Sequence, residues 1–530
     1  MDHNEMVGID RWFRWIGAAG IAVLLAGLAL PLTDGDTAFY ATVARGALKS
    51  GEWVAFYSPG GQVFDKPPLT IWLLGLSMAA FGSADWAVRL WHILFALATV
   101  FVTYRLARLM LSVRQSLAAA LVLLISGQFF YQSLVPQQDI PLTLFVTMAM
   151  YWYLRWERAA DIRAAVLTGI SCALAVLSKG LIGMVLPVLI VVVHLVLDRP
   201  TWPRSWPRHT AAAVLALFIV TAPWFVVAGL RQGRAFVDTF FLSGTLGVGR
   251  FFHPALSSPS ATPAWTGALA YVIFLPLGML PWTGWLWPGL RDGWQARTGG
   301  PSVLRFCTVW LLTVLAFLTL SPGDKVIRYL LPAIPAAAVL IGHATDGDRW
   351  SKLASRVSMA MGGFLAAALV WLSRQSLPAD AAAYLPLVQS FLLPLTIGLV
   401  GGALLLFRGR RPQALVFIST LTLIAYGMLT AATVKQWDRI SPWRSIAVAV
   451  NAITRPDARV VIEGDRTPFA EYYIERPVQF AGHEALVSAW RAGALVAVIP
   501  AEALKSLPAS PPSIVVGDAS GRLIVVKNFR

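Results

Sequence analysis

The sequence has little charge and almost no cysteine. Only 13% of its 530 residues are charged, 57% are hydrophobic, and the two cysteines, Cys172 and Cys307, lie within apolar runs. This composition excludes an ordinary soluble enzyme, and cysteines in such positions exclude a disulfide framework. The C-terminal part contains no glycine-rich phosphate loop, and we expect no nucleotide cofactor.

Long apolar runs recur along most of the chain. Trp15–Leu30, Ala211–Leu230 and Leu385–Phe407 are examples, each near the ~20 residues that cross a bilayer as a helix. The sequence therefore predicts an all-α polytopic membrane protein over residues 1–433, with about thirteen transmembrane helices. Residues 434–530 instead alternate β-rich runs such as ARVVIEG with helical ones, which predicts a small α/β domain outside the cytoplasm.

The basic residues, 43 against 27 acidic ones, occur as short clusters between the apolar runs. Clusters such as Arg105, Arg108 and Arg114 mark cytoplasmic loops under the positive-inside rule. They do not form a continuous basic stripe, so no nucleic-acid partner is expected. Arg11 and Arg14 precede the first apolar run without a small-residue cleavage site, and we expect a retained first span.

The same assignment of cytoplasmic loops places the unusual polar residues on the outer face of the membrane. The run Leu69–Phe81 is too short to span and is expected at the outer interface. The outer loops then hold nearly all the unusual polar residues, which predicts chemistry at the outer surface. These residues are Asp34, Asp36, Asp65, Lys66, Asp139, Lys179, His253, Asp324, Lys325 and Arg328.

Asp34 and Asp36 end the first span and precede AFYATVARGAL, which has the pattern of a helix on the membrane surface. One interpretation is a helix N-cap, because aspartate accepts hydrogen bonds from backbone N–H groups at a helix start. A cap needs only one acid, and two acids at this spacing also suit a metal or a general base.

Asp65 and Lys66 stand directly before two prolines, in FDKPPLTIWL. One interpretation is a pair at the membrane interface, in which the long side chain of Lys66 extends to the water. Pro67 and Pro68 fix the local backbone, however, and hold Lys66 at a defined depth. A lysine at the edge of the hydrocarbon suits a lipid-linked phosphate.

Lys325, Arg328 and Tyr329 lie in SPGDKVIRYLLPAIP. On a helix, Lys325 shares a face with Arg328 and Tyr329, and two cations with a phenol can bind a phosphate or pyrophosphate. Ordinary surface charge is the alternative, although cations on this face break the positive-inside pattern.

Asp139 and His253 are single residues in outer loops. A lone histidine is more often structural than a ligand. With Asp65, however, the two would complete a carboxylate and imidazole set for a divalent metal such as zinc, magnesium or manganese.

Several motifs occur in a recognisable order: DTAFYATVARGAL, DKPPLTIWL, QDIPLTLFVTMAMYWYLRW, LSKGLIGMVLPVL, APWF, and K-x-x-x-Y-x-x-P-x-x-P in KVIRYLLPAIP. Together they resemble the GT-C membrane glycosyltransferases, specifically the group that joins the lipid A aminoarabinose transferases (ArnT) with the protein O-mannosyltransferases. The resemblance covers most of the chain. One departure is Asp65, where the family often has glutamate; the shorter side chain weakens the case for a metal.

The resemblance implies an inverting glycosyltransferase of the bacterial inner membrane, with its active site and C-terminal domain on the periplasmic side. Its donor would be a polyprenyl monophosphate sugar such as undecaprenyl phosphate carrying an aminoarabinose-like pentose or a hexose. The acceptor would be lipid A, another glycolipid, a polysaccharide or a protein.

The resemblance also assigns roles to residues. Asp36 matches the first-loop acid and Asp34 is a weaker match; Lys66 and Tyr329 match ligands of the lipid phosphate, with Lys325 and Arg328 weaker. Asp65, Asp139 and His253 match a metal or polar cluster beside the phosphate. A lipid-linked sugar transporter or flippase is the alternative from another class, but transporters carry ionisable residues near the bilayer midplane, and the apolar runs here have few acids.

Overall fold

The computed structural model describes residues 3–63, 67–198, 204–242, 264–296, 302–321, 325–347, 349–376, 378–455, 458–492, 495–507, 514–517 and 523–528. Most of the described chain is helical, as expected when backbone polar groups in lipid must be satisfied within each segment. A short antiparallel hairpin, β1 Phe56–Ser58 and β2 Gly61–Val63, interrupts the helices before residue 64.

The first half of the helical part contains ten helices. They are α1 His3–Ala26, α2 Gly35–Ser50, α3 Pro68–Phe81, α4 Asp85–Ala107, α5 Val113–Ile125, α6 Gly127–Ser133, α7 Asp139–Ala159, α8 Ile162–Lys179, α9 Ile182–Asp198 and α10 Trp206–Val237. Short 3₁₀ and π turns follow α1 at Gly27–Ala29 and α10 at Asp238–Leu242.

The second half continues the bundle after residue 263. Its helices are α11 Ala264–Gly278, α12 Leu286–Gln295, α13 Val303–Leu320, α14 Ile334–Ala344, α15 Ser351–Arg374, α16 Ala379–Ala382, α17 Leu385–Phe407 and α18 Arg411–Ile440. A 3₁₀ turn, Thr283–Trp285, precedes α12, and a longer 3₁₀ segment, Ile327–Ala333, leads into α14.

The number of crossing elements agrees with the predicted fold. In the described part of the chain, nine helices are long and apolar enough to cross a membrane, and two bent helix pairs make eleven candidates. α7 has 21 residues and α9 has 17, lengths of roughly 31 and 25 Å at the rise of an α-helix. The nine to eleven candidate spans confirm the predicted all-α membrane fold; the number thirteen stays a prediction.

α14 lies at the centre of the bundle, where nearly all its side chains are buried. It packs directly on α5, and glycine permits the approach: a Cβ on Gly342 would lie 2.5 Å from the backbone nitrogen of Ala119. Small residues allow this backbone contact between membrane helices. The buried apolar core extends from α5 and α14 across α4, α7 and α13.

The C-terminal part is an α/β unit. Its helices are α19 Trp443–Ile453, α20 Pro468–Tyr473 and α21 His483–Ala492. Its strands are β3 Val460–Glu463, β4 Val478–Ala481, β5 Leu495–Pro500, β6 Ile514–Gly517 and β7 Leu523–Asn528. They form one sheet in the order β4-β3-β5-β7-β6, with β3 parallel to β4 and β5 and with β7 antiparallel to β5 and β6. α18 runs across the predicted boundary at residue 434, and that division stays a prediction.

Candidate active site at the acidic end of the bundle

Asp34 and Asp36 lie where the chain leaves α1 and enters α2. Asp34 is the N-cap of α2, and its Oδ1 accepts a hydrogen bond of 3.1 Å from the backbone N–H of Thr37. Asp36 lies in the first turn, with 56% of its side chain exposed. One acid therefore caps the helix, as local capping rules predict, and the second is directed to other partners.

The start of α7 meets this segment through Gln137. Its Nε2 donates to Oδ1 of Asp34 at 2.7 Å and to Oδ2 of Asp36 at 3.4 Å. Its Oε1 accepts from Nε2 of Gln132, and its carbonyl contacts Nε2 of His92 in α4. Gln137 thus joins the two acids, a role that no local sequence pattern indicates.

Arg328 bridges two of the acids. Its Nη2 lies 3.3 Å from Oδ2 of Asp36, and its Nε lies 3.8 Å from Oδ2 of Asp139. The side chain of Asp139 is only 4% exposed, against 31% for Arg328. The structure therefore brings four of the predicted site residues together. With Lys179, Tyr329 and Gln137 they form what we call the acidic-end cluster: Asp34, Asp36, Gln137, Asp139, Lys179, Arg328 and Tyr329.

Lys179, at the end of α8, supplies the second cation. Its Nζ makes an ion pair with Oδ1 of Asp139 and lies 4.5 Å from the centre of the Tyr329 ring. The guanidinium of Arg328 lies 5.8 Å from the same ring. The ring of Tyr329 thus makes cation–π contacts with both cations. The threading placed Lys179 on the same face as the acids, but sequence reasoning gave it no role.

Lys325 is directed elsewhere. Its Nζ donates to the carbonyls of Leu318 at 2.8 Å and Thr319 at 3.2 Å, and to that of Ser321. The expectation that Lys325 shares a helix face with Arg328 is wrong, because the 3₁₀ segment begins only at residue 327. The last carbonyls of α13 lack helical partners and attract a cation. A role for Lys325 at the donor phosphate stays a prediction.

Three predicted site residues, Asp65, Lys66 and His253, lie outside the described residues. The metal hypothesis therefore depends on Asp139, whose two carboxylate oxygens face Lys179 and Arg328. Among the residues that the structure describes, no group of three His, Cys, Asp or Glu side chains suits a metal ion. The described part of the donor set does not by itself fit a metal, and the site stays a prediction.

A cavity of about 560 Å³ opens beside the cluster. Thr33, next to Asp34, and Ile327, next to Arg328, belong to its wall. The remaining wall comes mainly from α6, α11, α17 and α18 and is largely apolar, with Phe130 stacked on Tyr426 at 3.9 Å. A space of this kind accommodates hydrocarbon next to charged groups. Its aromatic lining consists of Phe130, Tyr131, Tyr384, Phe391, Tyr426 and Trp437.

Comparison with known families and proteins agrees with the fold. Residues 65–224 match the family model described as dolichyl-phosphate-mannose-protein mannosyltransferase. The chain is 31% identical over 323 residues to the undecaprenyl phosphate-alpha-4-amino-4-deoxy-L-arabinose arabinosyl transferase of Pseudomonas aeruginosa strain UCBPP-PA14, covering 58% of this chain and 55% of that protein. The protein of the same name from Aeromonas hydrophila is 27% identical over 329 residues, 60% of this chain and 56% of the relative. The match thus spans little more than half the length of these relatives.

Solved structures show the same architecture over nearly the whole chain. ArnT from Cupriavidus metallidurans bound to undecaprenyl phosphate superposes with a TM-score of 0.80 at 21% identity, covering 98% of both chains. The apo form of that protein gives a TM-score of 0.79 at 20% identity. The chain is thus a multi-pass membrane protein with the GT-C fold of ArnT, and its resemblance to the ArnT and protein O-mannosyltransferase group is confirmed.

Proposed function

We propose that the chain is an inverting glycosyltransferase that moves an aminoarabinose-like sugar from undecaprenyl monophosphate to lipid A. The observation that carries the proposal is Arg328, which bridges Asp36 and Asp139 at the mouth of an apolar cavity. This arrangement sets a cation, a carboxylate and a space for hydrocarbon side by side. The names of the relatives, which specify undecaprenyl phosphate and an aminoarabinosyl group, support the choice of substrates.

The leaving group of this reaction is the lipid phosphate, on which negative charge grows as the bond to the sugar breaks. Arg328 and Lys179 are the cations of the acidic-end cluster, and both contact the hydroxyl-bearing ring of Tyr329. Electrostatic stabilisation of a developing anion is commonly the largest catalytic contribution in such a site. Lys66, which the resemblance assigns to the same phosphate, adds a third cation.

Arg328 links donor binding to the state of Asp36. At 3.3 and 3.8 Å its contacts with Asp36 and Asp139 are long, and its side chain is partly exposed. A phosphate offers stronger, bidentate hydrogen bonds to a guanidinium. Donor binding therefore draws Arg328 from Asp36 and leaves that carboxylate available to the acceptor.

The role of Asp36 then depends on the acceptor. A phosphate group of lipid A is already anionic, so Asp36 orients the acceptor or the sugar without removing a proton. A hydroxyl acceptor requires Asp36 as a general base. In either case the acceptor attacks the anomeric carbon opposite the departing phosphate, which inverts its configuration.

We place the reaction at the periplasmic face of a bacterial inner membrane. The arginine clusters lie in the loops at the other end of the helices, and the positive-inside rule assigns those loops to the cytoplasm. The names of the relatives describe a lipid-linked donor of the same kind. The α/β unit contacts α2, on the side of the acids, so the same assignment makes it periplasmic.

Mass spectrometry of lipid A from cells with and without the gene tests the proposal. Lipid A that carries an amino-pentose only when the intact protein is present supports it. A Lys66→Ala copy should lose the modification, while Lys49→Ala, which removes an exposed lysine from α2, should keep it. Unmodified lipid A in cells that make both the protein and the donor would overturn the lipid A assignment.

Transfer to protein is the second candidate, because the family model that matches residues 65–224 describes a protein mannosyltransferase. The same cells distinguish the two. Hexose on secreted proteins, with lipid A unchanged, would favour the second candidate. Loss of that hexose in the Lys66→Ala copy would assign it to this chain.

A further inference from the structure

The α/β unit is joined to the acid-bearing helix α2. Arg45 of α2 donates from Nη1 to the carbonyl of Tyr472 at 2.7 Å and from Nη2 to that of Glu471 at 2.9 Å, and its guanidinium lies 5.1 Å from the Tyr472 ring. Burial lowers the pKa of Arg45, although Tyr472 and Glu475 oppose the shift. A largely buried guanidinium is costly unless it is hydrogen-bonded, so this contact is specific.

Two adjacent tyrosines of α20, Tyr472 and Tyr473, contact the helical bundle, and their hydroxyls hydrogen-bond different residues. The hydroxyl of Tyr472 donates to the carbonyl of Ser83, just before α4, at 2.8 Å. The hydroxyl of Tyr473 donates to Oδ2 of Asp85, the first residue of α4, at 3.2 Å. It also accepts from the backbone N–H of Leu32 at 3.0 Å. Of the two hydroxyls, that of Tyr473 bonds the backbone of the segment that carries the acids, and that of Tyr472 does not.

The segment from residue 30 to residue 34 depends on such contacts because it belongs to no helix. Leu32 is completely buried, and a buried backbone N–H needs a partner. Tyr473 supplies it. Asp34 follows two residues later and Asp36 four residues later.

Arg89 holds the same segment from the other side. Its guanidinium contacts the carbonyls of Leu30 and Pro31 and donates to that of Leu134 at 3.0 Å. Asp85, which accepts the Tyr473 hydroxyl, lies one helical turn before Arg89 and interacts with it electrostatically. Residues 30, 31 and 32 are thus all fixed by one network, and the α/β unit contributes Tyr473 to it.

We propose that Tyr473 is a positioning residue, through which the α/β unit fixes the backbone that carries Asp34 and Asp36. The effect on turnover rests on the proposed glycosyl transfer; the effect on the segment does not. Misplacement of a reacting group by about 1 Å can reduce a rate by roughly a hundredfold. Loss of one backbone anchor two residues from Asp34 should reduce kcat by about tenfold.

Tyr473→Phe in the full-length protein tests this role, with Tyr472→Phe as the matched control. Each change removes one hydroxyl from the same short helix and keeps the ring. Two measurements are made: kcat and KM for undecaprenyl-phosphate aminoarabinose with lipid A as acceptor, and hydrogen–deuterium exchange of peptides covering residues 28–38. We expect Tyr473→Phe to lower kcat about tenfold with KM nearly unchanged and to accelerate exchange at residues 30–34. Tyr472→Phe should change neither.

The exchange measurement decides the proposal even if lipid A is not the acceptor. Unchanged protection of residues 30–34 in Tyr473→Phe, or the same acceleration in both variants, would overturn it. An inactive wild-type protein with the expected exchange pattern would overturn the proposed acceptor and support the positioning role. If Tyr473→Phe cannot be purified, Asp85→Asn is measured instead. It removes the charge that faces both Tyr473 and Arg89 and should accelerate exchange at residues 30–34; unchanged exchange would contradict the proposal.

Discussion

Two clusters of ionisable side chains lie at opposite ends of α7, and they differ in almost every physical property. Asp139 at the start of α7 belongs to the acidic-end cluster. Glu157, in its last turn, belongs to a second group with His194, Asp198 and Arg305, which we call the arginine-end cluster. Oxygens of Glu157 and Asp198 lie 2.9 Å from the two ring nitrogens of His194, and Nε of Arg305 lies 3.0 Å from Oδ1 of Asp198.

The arginine-end cluster is closed. Each of its four side chains is at most 10% exposed. Each ring nitrogen of His194 pairs with a carboxylate, and Arg305 pairs with Asp198. Arg305 also lies over the Trp294 ring at 4.4 Å. Buried ion pairs arranged in this way join α7, α9 and α13.

The acidic-end cluster is open. Asp36 and Arg328 are 56% and 31% exposed, and among the described residues the cations of this cluster are Arg328 and Lys179. A cavity of about 560 Å³ adjoins each cluster, so adjacent space alone does not distinguish them. The comparison teaches that buried ion pairs alone do not mark a site. The exposure of its charged groups marks it here.

Replacing the arginine of the open cluster should give the largest functional effect. Arg328→Gln removes a cation that faces the leaving phosphate, and we expect kcat/KM to fall by about 10²–10³-fold. The midpoint temperature of unfolding in detergent should change little, because a partly exposed ion pair contributes little stability. Steady-state transfer to lipid A measures kcat/KM, and a thermal unfolding curve measures the midpoint temperature. A large loss of stability would mean that the two clusters do not differ as described.

Arg305→Gln in the closed cluster should lower the stability of the protein and leave kcat/KM nearly unchanged. It leaves Asp198 buried beside Glu157 with one cation fewer, and breaking a buried pair costs about 3–5 kcal/mol of unfolding free energy. The midpoint of thermal unfolding should fall clearly, while kcat/KM per folded molecule stays near the wild-type value. A folded variant with severely reduced kcat/KM would show that the arginine end takes part in the reaction.

Asp36→Asn should have a smaller effect and should reveal the acceptor. If the attacking group is a lipid phosphate, no proton is removed, and kcat should fall only about tenfold through loss of orientation. General-base catalysis typically contributes about 10²–10⁴-fold, so a loss in that range would indicate a hydroxyl acceptor. Asp465→Asn, which changes an exposed acid of the α/β unit, is the control and should leave kcat unchanged.

The sequence predicted on which face of the membrane the acidic-end cluster lies, but not which side chains contact each other there. The placement of arginines between apolar runs put Asp34, Asp139 and Lys179 on one face, because that rule concerns whole loops. The cap made by Asp34 was also predictable, since it joins residues three apart. The pair formed by Lys179 and Asp139 spans 40 residues and the bond from Gln137 to Asp34 spans 103, and no local pattern encodes such distances.

The same limit explains the position of Lys325. Spacing of three residues puts Lys325 and Arg328 on one face only if both belong to one helix. In the structure α13 ends at Leu320, and its last carbonyls bind Lys325 before the next helical segment begins. The all-α membrane fold, by contrast, follows from composition and length, which tertiary contacts do not change.

Gln137→Leu should give the smallest effect. It tests how much the neutral hydrogen-bond donor shared by Asp34 and Asp36 contributes to kcat. Leucine has about the same size but cannot donate to Asp34 and Asp36, so the two carboxylates lose a shared neutral donor. Asp34 keeps its hydrogen bond from the backbone N–H of Thr37, which limits the change. We therefore expect kcat to fall about threefold, which corresponds to a fraction of the free energy of one neutral hydrogen bond. Steady-state transfer at saturating donor measures it. Gln115→Leu, at the opposite end of the bundle beside His343, is the control of the same chemistry. An equal loss in both variants would attribute the effect to packing of the helices and not to the acids.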